Sequence, residues 1–196
     1  MSEMQKNNAE VTPENTKDGE ETVNTSRVVY DLLGTVFTAI ILLLIIMTFF
    51  VRQVTVSGSS MQDTLQDNDR LLVSCFNYKP QNGDIVVVTH GKNLDEPIIK
   101  RVIATEGQRL SINYEEGEVV VDGVLLNEDY IKGNTIAVPN SSIIPDVIPE
   151  GYVFVMGDNR EHSLDSRSSR VDLIPVENII GKAFVRIFPI GNFKFI

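Results

Sequence analysis

The chain has 196 residues, a formal net charge of −10, and hydrophobic side chains at 42% of its positions. About 145 residues follow the N-terminal tail and a long apolar stretch, which is enough for one domain with a sizeable core. The acidic balance and the lack of a basic patch argue against binding to nucleic acid.

The first 26 residues are rich in acidic and polar side chains and contain few large apolar ones. Such a segment cannot bury enough apolar surface to fold, so residues 1–26 are predicted to be a disordered acidic tail.

Residues 27–52 are predicted to form a membrane anchor. Their central part, Leu32–Val51, is a run of 20 residues without a charge. As a helix this run would span about 30 Å, the thickness of one hydrocarbon core. The run is too long for a secretory signal peptide, and no small-x-small cleavage site follows it, so we expect the anchor to be retained. Basic residues flank both ends equally, which leaves the orientation open.

After Arg52 the sequence changes to short runs rich in β-branched and aromatic residues, separated by Gly, Asn and Asp. The predicted strands are Arg70–Ser74, Asp84–Val88, Ile98–Ala104, Glu118–Val121, Tyr152–Met156 and Ala183–Phe188. Asp122-Gly123 joins two apolar runs and predicts a β-hairpin. Residues 53–196 are therefore predicted to form one mostly β domain of coiled sheets.

Cys75 is the single cysteine of the chain, so it has no partner for an intramolecular disulfide and belongs to no cysteine cluster typical of zinc. Its apolar surroundings, Arg70–Tyr78, favour a buried structural thiol. The sequence predicts neither a metal site nor a cofactor.

A cluster of serines at residues 57–60 lies a few residues after the anchor, and a nucleophilic serine needs a base. Histidine is one candidate, and His162 lies near two aspartates, but no Gly-x-Ser-x-Gly elbow surrounds any serine. We therefore expect both His162 and His90 to lie in surface loops.

Lysine is the other candidate base, since burial among apolar groups lowers its pKa. Lys100 lies in the apolar run Pro97–Thr105. Strand alternation directs Lys100 and Arg101 to opposite faces, so only one of them faces the core. A lysine whose ammonium reaches water is the alternative interpretation.

Gly157–Arg167 reads GDNREHSLDSR and predicts a polar loop that begins with a tight turn. Asp165 and Arg167 are spaced to anchor this loop by an ion pair, and Ser163 could orient a neighbouring side chain. A solvated surface loop is the alternative.

The motifs follow one another in a specific order: an anchor, Ser-Met-Gln-Asp-Thr-Leu at 60–65, Gly-Asp-Ile-Val at 83–86, Lys-Arg-Val at 100–102 and Gly-Asp-Asn-Arg at 157–160. This ordered set resembles bacterial type I signal peptidases, the leader peptidase family of membrane-bound serine proteases. The resemblance covers about residues 54–188. The short chain with one anchor is similar to the single-span Gram-positive enzymes, and the family's fold of coiled antiparallel β-sheets is implied.

The resemblance assigns roles to individual residues of this chain. Ser60 corresponds to the nucleophile, Lys100 to the general base and Ser163 to the residue that orients this lysine. Asp165 and Arg167 correspond to the structural ion pair. The positions similar to the family's substrate pockets are Val54, Val56, Met61, Leu65 and Ile99.

Two positions depart from the family pattern. Asp63 replaces the usual proline after the nucleophile, and Gly58 stands where some members have a serine that supports the oxyanion hole. The resemblance then implies the Ser60 backbone N–H as the main oxyanion donor.

The implied function is removal of N-terminal signal peptides from exported preproteins at small-x-small sites. The implied partners are secretory preproteins, the lipid bilayer and the secretion translocon, with the tail in the cytoplasm and residues 53–196 outside the cell membrane. The alternatives are a specialised peptidase for a few substrates such as pilins, and an inactive relative acting as a scaffold. A self-cleaving repressor-type regulator is disfavoured by the membrane span and the acidic tail.

Overall fold

The structure is a computed structural model that describes residues 25–89, 92 and 96–196. His90 and the acidic tail up to residue 24 lie outside the described residues.

Helix α1, Thr25–Phe50, is 26 residues long and apolar along its length, and it buries none of its residues within the protein. At about 1.5 Å per residue it measures roughly 39 Å, more than one hydrocarbon core. The hydroxyls of Thr35, Thr38 and Thr48 donate to backbone carbonyls one turn earlier, at 2.7–2.8 Å, so these polar groups have partners inside the helix. Helix α1 is therefore long and apolar enough to cross a membrane. It ends before the predicted anchor does, because Val51 already belongs to a strand.

The remainder of the described chain is mostly β. The strands are β1 Val51–Thr55, β2 Arg70–Ser74, β3 Ile85–Val88, β4 Ile98–Ala104, β5 Leu110–Asn113, β6 Glu118–Val121, β7 Val124–Leu125, β8 Tyr152–Met156, β9 Ile174–Pro175, β10 Ile179–Phe188 and β11 Lys194–Phe195.

The strands form two antiparallel sheets. The larger sheet has the order β1-β2-β10-β3-β4-β8-β9, and β11 pairs with β10. The smaller sheet has the order β5-β6-β7. Register shifts interrupt the pairing of β10 with β2 and with β3, and of β4 with β8, and such shifts bend and coil a sheet. The predicted mostly β fold of coiled antiparallel sheets behind one N-terminal apolar helix is confirmed.

An apolar cluster, called here the nucleophile cluster, packs beneath the loop that follows β1. Its buried members are Val56, Met61, Leu65, Leu71, Val73, Ile85, Val87, Ile99 and Ala183. Residues from β2, β3, β4 and β10 contribute to it, so the cluster fixes the loop to the centre of the larger sheet. Cys75 is half-buried against this cluster rather than fully buried as predicted, because β2 ends at Ser74 and the chain turns outward.

Candidate active site

Ser60 and Lys100 are in direct contact. Lys100 Nζ donates a hydrogen bond of 2.7 Å to Ser60 Oγ and one of 2.8 Å to the carbonyl oxygen of Ile99. The lysine is only 3% exposed, and this decides between the two interpretations of the sequence: its ammonium does not reach water. A buried lysine bonded to a serine hydroxyl is a recognised way of activating a nucleophile.

Burial also sets the proton affinity of Lys100. Desolvation lowers the pKa of Lys100 from 10.5 to about 8, although the nearby carboxylates of Asp165 and Asp158 act in the opposite direction. At this pKa a useful fraction of the amine is neutral near physiological pH, whereas an ordinary lysine would be almost fully charged. Lys100 can therefore accept a proton.

Strand β4 places the lysine. Along Ile98–Ala104 five of the seven residues are buried, and only Ile98 and Arg101 are partly accessible. Lys100 is buried and Arg101 is more accessible, but both faces of β4 are covered, because Ile99 and Ile103 on the face of Arg101 are buried too.

The loop after β1 places the serine. Its two ends are joined where Val56 N donates to Asp69 O at 2.8 Å and Asn68 N donates to Val56 O at 2.9 Å. Gly58 has a φ of +86°, a backbone conformation that residues other than glycine rarely adopt. The N–H of Gly58 donates to Asp67 Oδ1. The buried side chains of Met61 and Leu65 then hold the loop in the nucleophile cluster.

Asp158 connects the loop of the nucleophile with the strand of the lysine. Its fully buried carboxylate accepts hydrogen bonds from Arg101 Nε at 2.8 Å, from Arg101 Nη2 at 2.6 Å and from Thr64 Oγ1 at 2.5 Å. The guanidinium of Arg101 also lies 3.9 Å from the centre of the Tyr130 ring. Because Arg101 adjoins Lys100 and Thr64 belongs to the Ser60 loop, one carboxylate ties together the supports of both residues.

Asn159 fixes the backbone at the serine. Its backbone N–H donates to Ser60 O at 3.0 Å, and its side-chain Nδ2 donates to Ser59 O at 3.0 Å. The sequence predicts only a turn for Gly157, Asp158 and Asn159 and does not indicate these two contacts. The motif at 157–160 was the available signal, but its polar residues gave no indication of which distant groups they bind.

Gly157 and Ser163 meet beside the serine. A Cβ atom on Gly157 would lie 2.1 Å from Ser163 Oγ and 2.5 Å from Ser60 O, so only glycine fits. Within the described part of the chain, the buried Ser163 Oγ has no hydrogen-bond partner. The structure thus brings Ser163 to the site without forming the contact with Lys100 that the resemblance implies.

Asp165 and Arg167 form a fully buried ion pair, with 2.9 Å between Oδ2 and Nη2. Gly157 N donates to Asp165 Oδ2 at 3.0 Å, and Arg167 Nη2 donates to Arg160 O at 2.7 Å. The pair therefore joins the two ends of the loop that carries Ser163. These bonds to the backbone give the buried carboxylate and guanidinium further hydrogen-bond partners, which offset part of the cost of removing both charges from water.

The five residues predicted to lie near substrate pockets come together. Val56, Met61, Leu65 and Ile99 are buried members of the nucleophile cluster, and the half-buried Val54 packs against it. β1 is an end strand of its sheet, and β8 pairs with β4 only from Arg101 onward. Two strand segments next to the dyad thus have backbone edges on which a peptide could pair.

His162, the other candidate base, is exposed as predicted. Within residues 25–89, 92 and 96–196, no three His, Cys, Asp or Glu side chains are grouped in a way that could hold a metal ion.

Comparison with known proteins shows which class of protein has this arrangement. Residues 29–188 match the family described as signal peptidase, peptidase S26. The chain is 36% identical over 168 residues to a probable signal peptidase I-2 of Synechocystis, covering 82% of this chain and 73% of that protein. It is 34% identical over 174 residues to signal peptidase IB of Staphylococcus aureus, covering 80% of this chain and 88% of that protein.

A crystal structure of a signal peptidase I from Enterococcus faecalis shares 26% identity and a TM-score of 0.42, and covers 54% of this chain and 97% of that one. The family match and the identities to the two relatives define a hydrolase of the signal peptidase class. The chain belongs to the signal peptidase family, peptidase S26, and is an enzyme of the signal peptidase I type.

Proposed function

We propose that this enzyme is a serine endopeptidase in which Ser60 and Lys100 remove N-terminal signal peptides from exported preproteins. The observation that carries the proposal is the 2.7 Å contact between Lys100 Nζ and Ser60 Oγ, made by a buried lysine. The name of the matching family, signal peptidase, supports signal peptides as the substrates.

The first step is proton transfer. When Lys100 is neutral, the Ser60 hydroxyl donates to its lone pair, and Ser60 Oγ attacks the carbonyl carbon before the scissile bond. The carbonyl oxygen becomes an oxyanion beside the backbone N–H of Ser60. A single such donor contributes about 2.7–4 kcal/mol in studied enzymes.

The second step releases the mature protein. Protonated Lys100 gives its proton to the leaving amine as the peptide bond breaks, and an acyl ester on Ser60 remains. Lys100 then takes a proton from water, whose oxygen attacks the ester carbon. As the bond from this carbon to Ser60 Oγ breaks, Lys100 returns the proton to Ser60 Oγ, and the signal peptide leaves with a free carboxylate. We assign to Ser163 Oγ a hydrogen bond accepted from the ammonium form of Lys100 in these steps, a contact that the described structure does not contain. Asp165 with Arg167 holds the loop of Ser163.

The substrate lies extended beside Val54–Val56 and Pro97–Ile99, pairing backbone to backbone. Small side chains at alternate positions of the substrate fit against Val54, Val56, Met61, Leu65 and Ile99. This fit would select small-x-small cleavage sites. The apolar character of this cluster supports the assignment.

The domain arrangement follows from the reaction. We place residues 1–26 in the cytoplasm, the anchor at 27–52 in the cell membrane and the catalytic domain at 53–196 outside, with the secretion translocon delivering substrates. Ser60 follows the apolar stretch by nine residues, a tether of at most about 30 Å. Treating intact spheroplasts with protease should degrade the catalytic domain. Its protection until the membrane is opened would reverse the assigned orientation.

The test of the activity uses the full chain in detergent with a preprotein that carries an Ala-x-Ala site, followed by sequencing of the new N-terminus. Cleavage after that site by the unaltered enzyme, absent with Ser60→Ala and Lys100→Met, is the expected result. If both variants still cleave, the dyad is wrong. If the folded enzyme cleaves nothing, it is a narrow-substrate or inactive relative.

A further inference from the structure

A polar cavity adjoins the nucleophile and takes no part in the chemistry described above. It has a volume of about 320 Å³, within the range of small-molecule sites. Its lining includes Ser59, Gln62, Lys132, Asn159, Glu161 and His162. We call it the polar pocket.

One short segment of the chain contributes residues both to the polar pocket and to the nucleophile cluster. Met61, directly after Ser60, is buried in the nucleophile cluster. Ser59, directly before it, is exposed and lines the polar pocket together with Gln62. Asn159 fixes this segment through the carbonyls of Ser59 and Ser60.

A peptide bound for cleavage places the residues before and after the scissile bond on different sides of the nucleophile. The proposed function assigns the residues before the bond to the apolar nucleophile cluster. The residues after the bond then leave past Ser59 and Gln62, and the polar pocket is the space that the structure offers them.

Three charged side chains, Asp63, Lys132 and Glu161, lie at the pocket or its rim. Asp63 Oδ1 lies 3.2 Å from Lys132 Nζ, and both side chains are largely exposed, so this ion pair stands at the rim. Asp63 occupies the position where the family usually has proline, which has no charge. The Glu161 carboxylate accepts a hydrogen bond from the N–H of Asn134 at 3.1 Å and lies against Gly133.

The pair of Asp63 with Lys132 is neutral as a unit, and the carboxylate of Glu161 adds a negative charge. We propose that the polar pocket binds the residues directly after the scissile bond. Asp63 offsets the charge of Lys132, so the carboxylate of Glu161 leaves the pocket with a net negative charge that discriminates against acidic side chains there. This inference rests on the proposed function and adds to it a charge selectivity on the mature side of the cleavage site.

The test compares preproteins that share one signal peptide and one Ala-x-Ala site and differ only at the second residue of the mature chain, which is Lys, Gln or Glu. For the full chain in detergent we expect kcat/KM to decrease in the order Lys, Gln, Glu. Because the charges are exposed, each step is about two- to fivefold. The ratio of kcat/KM for the Lys substrate to kcat/KM for the Glu substrate should decrease as salt is added, since salt screens the interactions of exposed charges.

Single substitutions should change the ratio of kcat/KM for the Lys substrate to kcat/KM for the Glu substrate. Loss of a negative charge and loss of the positive charge should change this ratio in opposite directions. Asp63→Asn and Glu161→Gln each remove a negative charge and lower the ratio, whereas Lys132→Gln removes the positive charge and raises it. The matched control is Lys92→Gln, because Lys92 forms a similar exposed ion pair with Asp172 away from the pocket. This control should leave the ratio unchanged.

Equal ratios in all four variants and in the unaltered enzyme, with every protein still cleaving the Gln substrate, would overturn the inference and leave the proposed function intact. Failure of the unaltered enzyme to cleave any substrate would overturn the proposed function and this inference with it.

Discussion

Lys100 Nζ and Ser60 Oγ lie 2.7 Å apart although 40 positions separate the residues in the chain. Strand β4 carries the lysine and the loop after β1 carries the serine, and Asp158 binds a residue of each. The contact between Lys100 and Ser60 therefore depends on a third segment that contains neither residue.

The proton affinity of Lys100 predicts the pH dependence of cleavage. The neutral amine is the active form, so kcat/KM should rise with pH and reach half its maximum at about pH 8, the lowered pKa of Lys100. Initial rates on a preprotein at low substrate concentration, over several pH values on each side of 8, would show this. A midpoint near 6.5, the ordinary pKa of histidine, would instead implicate His162.

Replacing Ser163 tests whether its hydroxyl stabilises the ammonium form of Lys100. Ser163→Ala should lower kcat/KM about ten- to a hundredfold, which corresponds to the roughly 1.5–3 kcal/mol of a hydrogen bond to a charged group. It should also lower the pKa of Lys100, because the lost acceptor stabilises the ammonium form, and so move the pH profile to lower pH. Ser163→Thr keeps the hydroxyl and should recover part of the rate. A lower rate with an unmoved profile would indicate a structural role only.

Gly157→Ala should impair catalysis through steric contact. The new methyl group would lie 2.5 Å from Ser60 O and 2.1 Å from Ser163 Oγ, and the backbone carbonyl cannot move without displacing the nucleophile. We expect kcat to fall about a hundredfold, the cost of a misplacement of about 1 Å. Gly191→Ala is the control, since no atom lies within 4 Å of its added Cβ. Equal activity of the two variants would contradict the prediction.

Asp165→Asn should destabilise the catalytic domain. It leaves the guanidinium of Arg167 charged and fully buried without its partner, a change that costs about 3–5 kcal/mol. Lys92→Gln breaks an exposed ion pair and should cost less than about 1 kcal/mol. The free energy of unfolding, measured in urea for the full chain in detergent, distinguishes the two. Similar losses in both variants would show that burial of the Asp165–Arg167 pair has little effect on stability.

The sequence predicted those parts of the fold that depend on local pattern. The runs Arg70–Ser74, Ile98–Ala104, Glu118–Val121 and Tyr152–Met156 are strands β2, β4, β6 and β8 with the predicted bounds. These runs contain enough β-branched residues to be recognised alone. β1 was not predicted, because Arg52 and Gln53 interrupt its apolar pattern and its pairing with the distant β2 stabilises it.

The candidate site could be assembled from the order of its motifs but not from the residues one by one. Ser60 and Lys100 were chosen because the chain resembles a known family, and the short contact between them is a tertiary feature that no local pattern contains. The roles of Asp158 and Asn159 went unpredicted for the same reason, since each binds groups about a hundred positions away. The ion pair of Asp63 with Lys132 likewise joins residues 69 positions apart.

Strand β1 begins at Val51, the residue directly after the end of helix α1, and Cys75 N donates to Phe50 O at 3.0 Å. This continuity limits where the chain can be shortened to prepare a water-soluble enzyme for crystallisation or inhibitor screening. A fragment that starts at Phe50 keeps the whole of β1 and its pairing with β2. A fragment that starts after Thr55 loses Val54 and exposes the edge of β2, where aggregation of the purified fragment would begin.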